Sequence, residues 1–294
     1  MKNFKKWKRK NIIFIISDPG SANIILSIVR KFKLKKINFY FTNLYIKKYF
    51  KNYKNKFLEY NSLKNLIKIN YFDLGVIGTG YPAKYIHLAN YLKIHKVLTI
   101  AILDHWLNFL KRFKNSKSTF KPNIIFMTHK INYPLNSFFA DIKILNIKNY
   151  YLEEKIQEIK KIKKIKYDCC YINDPASYIV NKSARKKLII DSMDSFISFI
   201  KNRKIKKVLI RPHPKDNIFN FKKMIKKIAK KNNYMKKNLI VSKTKNISKD
   251  IGSSNAIFGM KSFGLFISLQ TKKNVYGFQK NKSNFKLLKK SDQL

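Results

Sequence analysis

The sequence predicts an α/β protein of two halves, each built on a parallel sheet, with the two sheets facing a cleft. Three observations carry this. Short β-branched runs alternate with helix-like stretches along the chain. The strand candidates are apolar throughout rather than at every second residue, as in strands buried on both faces. A charged helical stretch then interrupts the alternation, dividing the chain into residues 1–150, a connector at 151–166 and residues 167–294.

The elements follow in order. Asn11–Ser17 (NIIFIIS) is an apolar run of strand length, closed by the turn Asp18-Pro19-Gly20-Ser21. A helix is expected from Ala22 to Phe32, a strand over Ile37–Thr42, then a Lys/Tyr-rich helix. Leu74–Ile77 is a third strand and ends at Gly78-Thr79-Gly80; Ala83–Leu92 reads as a helix. Lys96–Leu103 is the strongest strand of this half and runs into Asp104-His105-Trp106, with Asn123–Met127 and Lys143–Leu145 after it. In the connector, Ile156, Ile159, Ile162 and Ile165 recur every three residues behind an acidic start, so one helix is expected from about Leu152 to Lys166. The second half restarts with a strand at Asp168–Ile172 and a helix over about Ala184–Lys201. The strand Lys207–Ile210 then leads straight into Arg211-Pro212-His213-Pro214. A basic helix at Asn220–Lys231, a strand at Asn238–Val241 and a short helix at Ile247–Gly252 come next. A strand at Ala256–Gly259, a helix at Phe263–Gln270 and a strand at Asn274–Gly277 complete the pattern.

With 294 residues, 45% of them hydrophobic, the chain can bury proper cores, which excludes a disordered tail or a stapled miniature scaffold. Its charge is the anomaly: 65 Lys+Arg against 15 Asp+Glu, a net +50. Only six of the basic residues are arginine. Lys, Asn, Ile, Phe and Tyr are enriched together, as AT-rich coding favours, and the basic residues are spread over the whole chain. A nucleic-acid surface would favour clustered arginine, whose planar fork reads phosphates and bases. Nucleic acid is therefore not the expected partner, although the surface attracts acidic lipid at low salt. Met1–Lys10 and Asn11–Ser17 mimic a signal peptide, but Asp18-Pro19-Gly20 cuts the apolar run short. The only cysteines, Cys169 and Cys170, are neighbours and found neither a disulfide framework nor a metal site. These features place the chain in a reducing cytoplasm, peripheral to the inner membrane at most.

In open parallel sheets, ligands sit beyond the carboxyl ends of the strands, so the residues following each strand are the candidates. Asp18, Gly20 and Ser21 open a helix N-terminus that offers N–H groups to an anion. Gly78-Thr79-Gly80 lets a phosphate or sugar approach the backbone. Asp104 and His105 form an acid/base pair of residues, with Trp106 to stack on a sugar or base and Asn108 and Arg112 downstream. In Arg211-Pro212-His213-Pro214 the prolines fix the backbone around His213, and Arg211 supplies charge for a phosphate. Ser253, Ser254 and Ser262 offer hydroxyls near helix and strand starts.

A strand ending in Arg-Pro-His-Pro, followed by the pair Ser253-Ser254 and the turn at Ser262-Phe263-Gly264, resembles the C-terminal domain of bacterial GT-B-type surface-polysaccharide transferases. That group includes polysialyltransferases, sialyltransferases and CDP-glycerol glycerophosphotransferases. The likeness covers roughly residues 205–278. It implies a GT-B-like fold of two Rossmann-like domains, with an acceptor-side domain at 1–150 and a nucleotide-donor domain at 167–294. It also implies that His213, Pro214, Ser253, Ser254 and Ser262 hold the nucleotide's phosphates. The acidic-acidic-glycine motif of that group's sialyltransferases is absent; Asp18-Pro19-Gly20 and Asp73-Leu74-Gly75 match half of it.

The expected function is then a metal-independent glycosyltransferase using a nucleotide-activated sugar or CDP-linked donor, which is substrate rather than cofactor. Arg211, His213 and the serines, with Gly78 and Thr79, would contact the nucleotide or its phosphates. Asp104 or Asp18, with His105, would deprotonate an oligosaccharide or lipid-linked acceptor. Two alternatives stand beside it: a nucleotide-sugar 2-epimerase, which needs further acidic groups, and a non-catalytic polyanion-binding protein.

Overall fold

The computed structural model describes residues 2–80, 85–104, 110–128, 139–174, 181–214, 216–244, 246–260 and 262–289. The chain divides into two compact units, Met1–Tyr151 and Leu152–Leu294.

The first unit contains α1 (Lys2–Trp7), β1 (Ile12–Ile16), α2 (Pro19–Phe32), β2 (Ile37–Phe41), α3 (Tyr60–Lys68), β3 (Leu74–Gly78), α4 (Ile86–Ile94), β4 (Leu98–Leu103), β5 (Ile124–Met127) and β6 (Lys143–Asn146). Its six strands are all parallel, in the order β2-β1-β3-β4-β5-β6. The apolar runs are continuous because the sheet is covered on both faces. Ile12, Phe14 and Ile16 enter one buried layer, and Ile13 and Ile15 enter the other.

The second unit follows α5 (Tyr150–Lys160), which begins in the first. It contains β7 (Tyr167–Ile172), α6 (Lys182–Asn202), β8 (Val208–Arg211), α7 (Ile218–Lys231), β9 (Leu239–Val241), α8 (Ile247–Gly252), β10 (Ser254–Gly259), α9 (Phe263–Leu269), β11 (Asn274–Gln279) and β12 (Asn284–Leu287). The strand order is β12-β11-β10-β7-β8-β9, parallel except for β12, which runs antiparallel to β11. Cys169 and Cys170 point into opposite layers of this sheet. Burial holds both thiols well above the usual cysteine range, so they act as small core residues.

Several boundaries differ from the sequence expectation, each for a local reason. Helix α2 begins at Pro19 rather than Ala22, because Asp18 is an N-cap and Pro19 stands where a missing N–H costs nothing. The Lys/Tyr-rich segment after β2 is a kinked 3-10 stretch, Leu44–Lys56, with α3 after it. The expected start of α4 at Ala83 lies outside the described residues. Strand β4 starts at Leu98 because Lys96 adopts a left-handed conformation at φ 58° and closes α4. Helix α5 stops at Lys160, short of Lys166. Lysines 160, 161, 163, 164 and 166 repel one another without an intervening acid. The chain there turns into β7, and the N–H groups of Lys166 and Tyr167 donate to the Ser253 carbonyl. The basic N-terminal segment folds as α1, whose Phe4 and Trp7 pack on Phe126. Among the described residues, no helix is long and apolar enough to cross a membrane.

Candidate functional site

In the first unit the strand order reverses between β1 and β3, and in open parallel sheets ligands bind beyond the carboxyl ends of the strands at such a reversal. Asp18 follows β1, Thr79 and Gly80 follow β3, and Asp104 follows β4. The Asp18 Oδ1 caps α2 by accepting the Ser21 N–H at 2.8 Å. Asp104 Oδ1 accepts from Arg112 Nη1 at 2.6 Å, and the same nitrogen donates to the Thr79 carbonyl at 2.7 Å. The buried Tyr85 hydroxyl donates to the Arg112 carbonyl and fixes that residue's backbone. One guanidinium thus ties the end of β3 to the end of β4.

Two glycines make room for the carboxylates. A Cβ on Gly20 would collide with Asp104 Oδ2, and one on Gly80 would lie 2.5 Å from Asp18 Oδ2. Gly78 does something different: it lets Ser21 of α2 come against β3, since a Cβ there would meet Ser21 Oγ at 2.6 Å. The Thr79 hydroxyl is buried and donates to the Ile102 carbonyl at 2.8 Å, so it braces the strand ends.

The electrostatics follow from the count of charges. Among the described residues, two carboxylates share the neighbourhood of one guanidinium. The Asp18 carboxyl is pushed up to about 7, first by burial and then by the charge of Asp104; the Ser21 N–H and Arg112 pull in the opposite direction. A carboxyl that titrates near neutrality exchanges a proton readily at physiological pH. The capping bond falls on Asp18 Oδ1, and Oδ2 lies beside Gly80. His105, Trp106 and Asn108 lie outside the described residues.

In the second unit the reversal falls between β7 and β10. Asn173 follows β7, His213 and Pro214 follow β8, and Ser262 caps α9 with its hydroxyl accepting the Leu265 N–H at 3.3 Å. The His213 loop is pinned by Asp216. Its Oδ2 accepts the His213 N–H at 2.7 Å and Asn173 Nδ2 at 2.8 Å. Gly259 closes the same end of the sheet, where a Cβ would meet the Ile172 carbonyl at 2.8 Å.

Arg211 is placed differently from a phosphate contact. It is buried, with Nη1 2.5 Å from Asp250 Oδ2 and 3.1 Å from the Thr244 carbonyl, and Ser242 Oγ donates to the same Asp250 oxygen at 2.7 Å. Its charge is committed to holding α8 against β8. Burial raises the Asp250 carboxyl above its ordinary range, opposed by Ser242 and Arg211.

Ser253 and Ser254 are not brought to this end of the sheet. Ser254 begins β10 and pairs with Tyr167 at the start of β7. The five-residue rise to Gly259 separates it from the carboxyl end by roughly 16 Å. Their hydroxyls donate to the Lys249 and Asp250 carbonyls at 2.6 and 2.8 Å and close the last turn of α8.

Asn173 and Asp216 in the second unit are positional partners outside the residues the sequence nominated, while Arg112, Gly20 and Gly80 in the first unit, each named from the sequence, take bracing and spacing roles that the sequence did not assign. The retrievable signal was the strand end itself, since Asn173 directly follows the apolar run of β7.

No protein-family model matches the chain, and no curated protein matches it. Solved structures do. A glycosyltransferase from Rickettsia africae ESF-5 aligns with 12% identity and a TM-score of 0.56, over 91% of this chain and 79% of that one. The UDP-GlcNAc 2-epimerase of Neisseria meningitidis, bound to UDP-GlcNAc, aligns with 10% identity and a TM-score of 0.59, over 92% and 84%. Anabaena Alr3699/HepE, in complex with UDP and glucose, aligns with 8% identity and a TM-score of 0.57, over 91% and 80%. Likeness at these identities concerns the fold: the chain has a GT-B-like fold of two Rossmann-like units.

Proposed function

We propose that the chain is a glycosyltransferase that uses a nucleotide-activated sugar donor. One observation carries the reading: a carboxyl poised near neutral pH, Asp18, at the strand crossover of the first unit. In the proposed reaction the acceptor hydroxyl attacks the anomeric carbon. Asp18 Oδ2 takes the hydroxyl proton, the new C–O bond forms, and the diphosphate leaves with the electron pair of the broken bond. Arg112 and Asp104 hold the Asp18 environment, and Gly78-Thr79-Gly80 shapes its rim. The second unit supplies the donor site at the ends of β7, β8 and β10, where His213, Pro214 and Ser262 stand. Fold neighbours bound to UDP with glucose and to UDP-GlcNAc support a nucleoside-diphosphate sugar as the ligand class. An oligosaccharide or lipid-linked acceptor of surface-polysaccharide synthesis fits a hydroxyl nucleophile.

The test is thermal unfolding with CMP, CDP, UMP, UDP, GDP and a short DNA oligonucleotide, at about 0.15 M salt where exposed charge is screened beyond roughly 8 Å. A ligand at about a hundred times its Kd adds roughly 2.7 kcal/mol. The expected result is a shift with one nucleotide class that disappears in His213→Ala. Equal shifts with every phosphate compound, all abolished by salt, would overturn the reading in favour of non-specific polyanion binding.

The epimerase reading draws on Asp18 and Asp104 lying in one cluster. Epimerisation at C2 exchanges the C2 proton with solvent, whereas glycosyl transfer does not. Deuterium entering C2 of UDP-GlcNAc incubated with the protein in heavy water would select the epimerase.

A further inference from the structure

We propose that helix α7 is a docking surface for an anionic phospholipid bilayer. Its buried face is ordinary: Phe221, Ile225, Ile228 and Ala229 pack on the sheet. The opposite face carries the signal. Phe219, Lys223, Lys226 and Lys230 recur at i, i+4, i+7 and i+11, which places them on one stripe of the helix. Lys222 and Lys227 flank that stripe, and all five lysines are exposed. Phe219 is 74% exposed, and Ile218 beside it is 46% exposed. A large aromatic ring in line with a lysine ladder serves no packing role inside the unit.

Charge complementarity identifies the occupant. Between Asp216 and Asp250 the chain carries eleven lysines and no acidic residue. Lys231, at the end of the helix, is paired with Asp194 of α6, and the stripe itself meets no carboxylate among the described ion pairs. No arginine follows Arg211, so the planar fork suited to bases and bidentate phosphate contacts is missing from this face. Ammonium groups on flexible stems around a single exposed phenyl ring match a headgroup layer instead. The ring enters the acyl boundary while the lysines stay at the level of the phosphates. Each lysine close to such a surface contributes about five-fold to partitioning. Asn217 caps the helix directly after Asp216, so a docked α7 holds the His213 loop near the membrane.

The experiment is co-sedimentation of the full chain with vesicles of phosphatidylcholine and phosphatidylglycerol, three parts to one, at about 0.15 M salt. The triple variant Lys223→Glu, Lys226→Glu, Lys230→Glu is compared with a charge-matched control in the same unit: Lys161→Glu, Lys163→Glu, Lys164→Glu. All six positions are exposed, so both variants keep the fold, checked by their thermal unfolding. The α7 triple is expected to lose vesicle binding by more than ten-fold, and the control by less than three-fold. Phe219→Ser is expected to lose several-fold and to do so at high salt as well, where the lysine contribution is already weakened. Equal loss from the two triples would overturn the proposal and assign binding to net charge. Unchanged binding of Phe219→Ser would overturn it too. Tighter binding to duplex DNA than to vesicles at equal phosphate concentration would make α7 a nucleic-acid surface.

Discussion

Replacing Asp18 by Asn tests the electrostatic account of the first unit directly. Asn caps a helix as well as Asp, so the bond to the Ser21 N–H survives and the change isolates the charge. The Asp18 carboxyl rises from an ordinary value of 3.8 to about 7 on folding. At about 1.4 kcal/mol per unit, that displacement amounts to about 4 kcal/mol. Asp18 is only partly buried by surface area, so water reaches one edge and the expected effect is about 2–4 kcal/mol. The sign follows from proton binding. Below pH 3.8 both folded and unfolded chains hold the proton and the site costs nothing. As pH rises towards 7 only the folded chain retains it, so stability falls, and the loss is complete above 7. The variant is therefore more stable than the parent at pH 8, and the gap between them widens by up to about 1.4 kcal/mol per pH unit between pH 4 and 7. The global effect of net +50 is common to both proteins and cancels in the difference. Urea unfolding followed by tryptophan emission reads the correct unit, because Trp7 and Trp106 both fall within Met1–Tyr151. A gap that stays constant from pH 5 to pH 8 would refute the reasoning.

Two further stability predictions concern the buried ion pairs. Arg112→Met leaves the Asp104 and Asp18 carboxylates without their cation and is expected to cost the first unit about 3–5 kcal/mol. The double variant Asp104→Asn, Arg112→Met should cost clearly less than the sum of the single variants, by the same tryptophan assay. Asp250→Asn strands the Arg211 charge and is expected to destabilise the second unit by about 3–5 kcal/mol; adding Arg211→Met should restore part of this. The second unit contains no tryptophan, so its unfolding is read as the far-UV circular dichroism change that the tryptophan signal of the first unit does not share.

How much of this was legible depends on the physical signal each feature leaves. Strands were legible because burial on both faces writes an uninterrupted apolar run, as in Ile12–Ile16. Edge strand β12 was not, because only Phe285 of its four residues is buried and the alternation is too short to read. The ends of those strands nominated Asp18, Gly78-Thr79-Gly80 and Asp104, which the structure gathers at one end of one sheet. No sequence signal joins Arg112 to them, because the seven residues between it and Asp104 carry no periodic pattern. Ser253 and Ser254 illustrate a conflict between two kinds of signal. They precede a strand, and in a parallel sheet residues that precede a strand lie at the end opposite the ligand. Motif likeness drew them into the nucleotide site; strand direction places them 16 Å away, by the rise of roughly 3.3 Å per residue.

Composition makes one final argument for the first-unit cluster. An AT-rich coding bias raises the lysine content of the whole chain, whatever use single faces make of it. It does not explain arginines, of which the chain has six, or the buried positions two of them occupy. Arg112 and Arg211 are each 8% exposed; Arg112 is paired with Asp104, which follows β4, and Arg211, at the end of β8, is paired with Asp250 of α8. The two pairs differ in their surroundings. Asp250 also accepts from the Ser242 hydroxyl, and Arg211 also donates to the Thr244 carbonyl, so among the described residues opposite charges balance one to one and the network braces α8. Around Arg112, counting the described residues, a second carboxylate, Asp18, leaves one negative charge in excess unless a proton is bound. A pair that only braced the sheet would be more stable without Asp18. A destabilising carboxyl at the crossover point of the strands, with glycines on both sides to admit it, is what the proton-transfer role proposed for Asp18 requires.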